Sequence, residues 1–388
     1  MSRSAARLLF PAVVIIVGVN LRPALASIGP LLDAIQRETG LGDTGASLLT
    51  TLPVVLMGVC LFGAAQLRRL FGERGGIALG TALIALACVV RWWMPVLSTL
   101  LLTAVLGGIG IAIVQALMPS LIRTKAGAGT ARLMGLYSTA TMGGALIAGT
   151  LSPWIASGLG LPTALGIWAV PALVALAAWW MVTDHADTAP VTTANRALYR
   201  FPRAWLLLAF FGLGTGAYTL VLAWLPPFYT QFGLTAEAAG ALIGLVTLAE
   251  VVSGITVSLW INHLPDRRPA LLAAIGSLLA GLLCLCFAPL SLAWPAALLV
   301  GFGIGALFPL SLIVSMDHAE NAGEAGGIIG FAQGGGYVLA ALLPFVAGLL
   351  RQHLSDLTPA WGLMALLCVV MAAIAVRLRP GRRLSRDV

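Results

Sequence analysis

The chain is 388 residues long, with only 9% charged and 60% apolar side chains and a formal net charge of +8. So few charges cannot solvate a globular surface of this size, which excludes a water-soluble enzyme or binding domain and makes lipid the main solvent. The basic excess lies in alternate short loops, as membrane orientation requires, so it calls for no nucleic acid or other polyanion.

A helix that crosses a membrane needs about 20 mainly apolar residues. Runs of that kind predict twelve spans, over residues 8–35, 44–67, 76–93, 97–122, 133–157, 162–183, 204–225, 236–262, 269–288, 292–316, 325–350 and 360–377. They are too long for the ~10-residue strands of a membrane barrel and lack strict alternation. Arg3 and Arg7 precede the first run, and Ala24-Leu25-Ala26 imitates a leader cleavage site. The apolar stretch continues past that tripeptide, so it reads as a span.

Span one carries Arg22, inside the segment Asn20-Leu21-Arg22-Pro23. A guanidinium at mid-depth costs roughly 3 to more than 10 kcal/mol and needs a partner or a wet cavity. Because it stays charged, it is a ready clamp for an anionic substrate. The alternative is a fixed ion pair with Glu250 or Asp33. Pro23 removes a helical hydrogen bond directly after the charge, which neighbours or water must make good.

Further along, Gln115 lies in span four, Tyr137 in span five, and Tyr218 with Trp224 in span seven. Glu250 lies among apolar neighbours in span eight, as a carrier of protons during transport or as a counter-ion to Arg22. Phe308 lies in span ten; Gln333 and Tyr337, four apart in span eleven, share one helical face. All of these except Glu250, together with Asn20 beside Arg22, are candidate substrate contacts. For the polar members the alternative is helix-to-helix hydrogen bonding, and for the aromatics packing or an interfacial belt.

The polar stretch 184–203 divides the chain into an N-terminal six-helix bundle (1–183) and a C-terminal one (204–388) with a basic tail. An internal repeat supports that cut. Gly108-Ile109-Gly110-Ile111-Ala112 aligns with Gly301-Phe302-Gly303-Ile304-Gly305 at an offset of 193, and Glu73-Arg74 aligns with Asp266-Arg267 at the same offset. A parallel duplication of this kind occurs in secondary transporters. Glycine clusters, among them Gly143-Gly144 and Gly334 to Gly336, fit close helix packing.

With a cytoplasmic N-terminus, eighteen of the twenty-two basic residues fall on the inside: Arg3, Arg7, Arg68, Arg69, Arg74, Arg123, Lys125, Arg132, Arg196, Arg200, Arg203, Arg267, Arg268, Arg377, Arg379, Arg382, Arg383 and Arg386. Arg37, Arg91 and Arg351 fall outside. Both termini are therefore expected in the cytoplasm. Asp317, His318, Glu320 and Glu324 make one inside loop acidic, against the trend.

The four histidines, His185, His263, His318 and His353, fall in predicted loops without a zinc motif, and the five cysteines lie in apolar runs as packed thiols. Neither catalysis, metal nor cofactor is expected.

Together these features resemble the major facilitator superfamily. Asn20-Leu21-Arg22-Pro23, Gly29-Pro30-Leu31-Leu32, Thr50-Thr51-Leu52-Pro53 and Ala223-Trp224-Leu225-Pro226 resemble its cyanate and 2-nitroimidazole transporter branch, with further similarity at Gly107 to Pro119, Leu133 to Tyr137 and Gln333-Gly334. The resemblance implies an all-α integral membrane protein of twelve helices in two pseudo-symmetric six-helix bundles. It also implies a central cavity lined chiefly by spans one, four, seven and ten, and alternating access. The family's loop signature after span two is present only in degraded form, as Gly72-Glu73-Arg74.

The expectation is a monomeric secondary transporter in a bacterial-type inner membrane, moving a small anionic or polar, cyanate-like compound. Its partners are that substrate, membrane lipid and, through Glu250, a candidate coupling proton. The alternative is an exporter of nitroimidazole or other drug-like compounds.

Overall fold

The computed structural model describes residues 3–93, 96–126, 130–182, 198–261, 264–319 and 322–378, and among them there is helix and no strand. The helices are α1 (Arg3–Val19), α2 (Pro23–Ala26), α3 (Ile28–Thr39), α4 (Asp43–Phe62), α5 (Ala64–Trp93), α6 (Leu97–Ala126), α7 (Thr130–Leu159), α8 (Leu161–Gly166), α9 (Ala169–Val182), α10 (Pro202–Thr230), α11 (Ala236–Trp260), α12 (Arg268–Phe287), α13 (Ala293–Asp317), α14 (Ala322–Leu354) and α15 (Thr358–Arg377). Most of the expected linker, with Arg196 and His185, lies outside the described residues, as do His263, Glu320 and the basic tail from Arg379 to Arg386.

Eleven helical segments among the described residues are long and apolar enough to cross a membrane. The remaining long helix, α7, has 30 residues but falls outside that set. It carries hydroxyls at Ser138, Thr139, Thr141, Thr150, Ser152 and Ser157. Several of these are satisfied within the helix, as where Thr141 donates to the Tyr137 carbonyl at 2.9 Å.

Predicted span two ends early, where Gly63 separates α4 from α5, and two other predicted spans are interrupted, each at a proline. Span one is three helices, α1, α2 and α3, because Pro23 has no N–H for the Val19 carbonyl. Span six is α8 and α9, because Pro171 likewise cannot serve the carbonyl of Ile167, which accepts from Val170 at 3.0 Å instead. Between spans two and three the chain turns at Gly72, whose φ of 64° and ψ of 173° interrupt the helical path of α5.

Contacts divide the chain into two compact units: Met1–Val191 with Thr235–Ala241, and Thr192–Leu234 with Leu242–Val388. In the first, α6 packs on α4 and α5, and α1 packs on α7 and α9. In the second, α10 packs along α14, and α12 packs on α13 and α15.

The repeat is visible in how each unit is packed. Gly108 of α6 sits against the backbone of Pro53 on α4, and Gly301 of α13 sits against the backbone of Val246 on α11. Pro53 and Val246 stand at the same offset as the two glycines, so the pseudo-symmetry of the sequence is a symmetry of contacts.

Glycine has a sharper role at the break in span one. A Cβ on Gly144 of α7 would overlap the Val19 carbonyl and touch Pro23, whereas one on the adjacent Gly143 would meet nothing within 4 Å. Gly144→Ala is therefore expected to cost roughly 1–3 kcal/mol and to lower the Tm of the detergent-purified protein by a few degrees. A thermal-shift measurement should show Gly143→Ala within about 1 °C of the parent.

Candidate functional site

In the N-terminal unit, Asn20, Arg22 and Tyr137 lie at the interruption of span one. Asn20 ends α1 and is 3% exposed; its side-chain amide donates to the Ile16 carbonyl at 2.8 Å, capping the last turn. Arg22 is the N-cap residue of α2, with φ −106° and ψ −25°, and is 4% exposed. Its carbonyl accepts from the amides of Leu25 and Ala26 at 3.0 and 2.8 Å. The charge thus rides on a one-turn helix, and its side chain is buried.

Tyr137 of α7 is buried, and its ring and carbonyl lie close to Gly18, one turn before the break. Gln115 of α6 is half-buried, with a carbonyl oxygen that finds no hydrogen-bond partner among the described residues. Two further buried oxygens share that condition, Thr51 Oγ1 on α4 and Ser27 Oγ just after α2. Thr51 was visible in the sequence as part of Thr50-Thr51-Leu52-Pro53, but a threonine in an apolar run gives no sign of whether its hydroxyl is satisfied.

In the C-terminal unit, α10 is buried almost along its whole length. Tyr218 is buried. Trp224 is fully buried and committed: its indole N–H donates to the Pro344 carbonyl at 2.8 Å, and the Arg351 guanidinium lies 5.5 Å from its ring centre.

Phe308 of α13 and Tyr337 of α14 are brought together through Phe211 of α10, with ring centres 5.8 and 5.3 Å from it. Phe211 was not singled out in the sequence. It stands two helical turns from Tyr218, and that i, i+7 spacing was the available signal. Gln333 lies half-buried on the same helix as Tyr337.

Glu250 is 5% exposed on α11, and its backbone lies where a Cβ on Gly305 of α13 would be. An apolar groove between α11, α12 and α13, lined by Leu245, Leu248, Ala249, Val252, Ser277, Leu298, Leu299 and Phe302, offers almost no polar surface and suits lipid rather than an anion.

The equivalent loops of the repeat differ. Glu73 is buried, pairs with Arg68 at 3.1 Å and accepts from the Ser120 hydroxyl. Asp266 is more open and pairs with Arg268 at 2.8 Å, while Arg267 reaches Asp317 at 3.2 Å. That second pair places a cation against the acidic loop seen in the sequence. His318 is buried at the C-cap of α13, with Nδ1 2.8 Å from the Val314 carbonyl. His353 lies inside α14, in its last turn, rather than in a loop.

The Major Facilitator Superfamily model matches residues 14–341. The chain belongs to this superfamily. It is 36% identical over 378 residues to the cyanate transport protein CynX of Escherichia coli (strain K12), covering 95% of this chain and 97% of that one. It is 33% identical over 357 residues to a 2-nitroimidazole transporter of the same organism, covering 88% of each. Among solved structures, a D-xylose–proton symporter superposes with a TM-score of 0.77 over 99% of both chains at 14% identity, which shows the shared fold. The protein is a multi-pass membrane transporter of the major facilitator fold, and not an enzyme.

The two loops of the repeat should respond differently to mutation. Glu73→Ala leaves Arg68 without its carboxylate in a poorly solvated place, and is expected to cost roughly 3 kcal/mol, read as a clear fall in Tm. Asp266→Ala should leave Tm unchanged within error, because that pair is open to solvent. Hydrogen bonds from the Arg268 side chain, and then from its backbone, hold the Asp266 carboxyl below its ordinary value. Any stability it lends is present above the ordinary carboxylate range and is lost as pH falls through the lowered one.

Proposed function

We propose that this transporter carries a small monoanion of the cyanate type, with Arg22 as the principal anchor. One observation carries the reading: a guanidinium is 4% exposed at an interruption of an apolar span, where a charge is retained only at considerable cost. Its planar fork suits a short anion, and neutral groups such as Thr51 and Gln115 in the same unit suit the remaining lone pairs. The likeness to a cyanate transport protein supports the same substrate class.

On this reading Asn20, Gln115, Tyr137, Tyr218, Trp224, Phe308, Gln333 and Tyr337 are the further substrate-facing candidates. Both termini lie in the cytoplasm, supported by the bias of eighteen basic residues to one set of loops. Glu250, a buried carboxyl in a protein with few charges, is the proton-coupling candidate. A second reading, export of a planar nitroheterocycle, is favoured by the Phe211, Phe308 and Tyr337 cluster and by the likeness to a 2-nitroimidazole transporter.

Counterflow of labelled cyanate in proteoliposomes tests the anchor. Arg22→Gln should reduce exchange more than tenfold and Arg22→Lys should raise KM about tenfold, because lysine keeps the charge but loses the fork. Parental kinetics in both variants would make the arginine structural. Glu250→Gln is expected to keep cyanate exchange while abolishing accumulation driven by a proton gradient; loss of both would make Glu250 a fixed counter-ion. Exchange of 2-nitroimidazole, insensitive to Arg22→Gln but reduced by Phe211→Ala, would favour the second reading.

A further inference from the structure

Arg91 reads in the sequence as a charge at the outer end of span three. In the structure it is 2% exposed within α5, and its bonds among the described residues go to neutral acceptors. Nε donates to Thr103 Oγ1 of α6 at 2.8 Å, and a terminal nitrogen donates to the Ala24 carbonyl of α2 at 2.6 Å. Thr103 is itself buried, its hydroxyl held on the Leu100 carbonyl at 2.9 Å. Among the described residues no carboxylate pairs with Arg91.

The acceptor on α2 explains the expense. In a continuous helix the Ala24 carbonyl would accept from the amide of Ile28, but the helix stops at Ala26 and restarts at Ile28. The amides of Leu25, Ala26 and Ser27 are all used on the carbonyls of Arg22 and Pro23. Away from water a carbonyl without a donor is strongly unfavourable, so something must supply one. A water molecule or a threonine hydroxyl would do so without burying a charge. A guanidinium instead ties α2, α5 and α6 together through a rigid plane.

We propose that Arg91 is a positioning residue for substrate binding: it fixes α2, whose N-cap residue is Arg22, and so sets the direction in which the Arg22 guanidinium points. The proposal rests on Arg22 as the anion anchor. A one-turn helix has no length of its own to hold orientation, and Arg91 ties it to α5 and α6. Gly144, from α7, closes the other side against Val19 and Pro23.

The test compares the parent with Arg91→Met, Arg91→Lys, Thr103→Val, Arg22→Lys and the Arg22→Lys/Arg91→Met double variant. For each, the apparent Kd for cyanate is taken from ligand-induced thermal stabilisation, alongside the ligand-free Tm and the maximal counterflow rate per folded molecule. Arg91→Met is expected to weaken cyanate binding about tenfold while the maximal rate stays within about twofold; Arg91→Lys should recover part of the loss. The double variant should bind less weakly than the product of the two single effects, since both act on one contact.

A purely structural role would lower Tm and folded yield but leave Kd unchanged, and that result, or full additivity with Arg22→Lys, overturns the proposal. If Arg91→Met does not fold, Thr103→Val decides. It frees one edge of the guanidinium and should weaken binding about threefold; an unchanged Kd overturns the proposal. A parental Kd in Arg22→Lys together with parental exchange in Arg22→Gln would instead remove the anchor itself.

Discussion

A backbone carbonyl surrounded by hydrocarbon must find a donor inside the protein, and this chain breaks its helices where donors are then needed. Pro23 leaves the Val19 carbonyl without an amide, the gap before Ile28 leaves that of Ala24, and Pro344 leaves that of Ala340. The Ala24 carbonyl takes a guanidinium N–H from Arg91, and the Ala340 carbonyl takes the hydroxyl of Thr219 at 3.1 Å. The carbonyl of Pro344 itself receives the indole of Trp224. Each of these bonds joins a helix interrupted or relieved of a backbone hydrogen bond by proline to a neighbour of its own unit. At these two places a polar side chain on a neighbouring helix makes the irregular backbone tolerable.

This constraint also orders the two halves. The contacts of Gly108 with Pro53 and of Gly301 with Val246 repeat at one offset, so the close helix pairs of the two units descend from one arrangement. The polar devices laid over that arrangement have diverged. The first unit has the interrupted span with Arg22 and Arg91, and a buried Arg68–Glu73 pair in its turn. The second has an uninterrupted α10, an aromatic trio built on Phe211, and open pairs in the corresponding turn. Packing between small residues leaves little freedom to change without losing the close approach. A side chain aimed into a helix break has more, because its only obligation is to bring a donor.

Much of the fold was legible in the sequence because its signals are long. Runs of about 20 apolar residues are unambiguous, the offset of 193 appears twice, and Pro23 marks the break beside Arg22. The site was legible in outline for the same reason: a charge such as Arg22 or Glu250 stands out against an apolar run. What stayed hidden depends on partners distant in sequence. Arg91 sits beside Trp92 and Trp93 at the end of a run, and so resembles an interfacial anchor; nothing local points to Ala24, 67 residues away. Phe211 is an ordinary apolar residue until two aromatic rings from other helices meet it. Trp224, singled out as a substrate contact, carries a hydrogen bond to Pro344 that no local pattern announces.

The buried charges of the first unit finally constrain how it can move. Arg22 and Arg91 belong to the same small region, and neither guanidinium can be moved into bare hydrocarbon without the cost that made it conspicuous. Arg91 holds α2, α5 and α6 through bonds of 2.6 and 2.8 Å, so these elements behave as one body as long as both bonds persist. Gly144 sets α7 hard against the other side of the same break. Conformational change that separated α2 from α5 would expose a desolvated cation and a carbonyl together, which makes that separation costly.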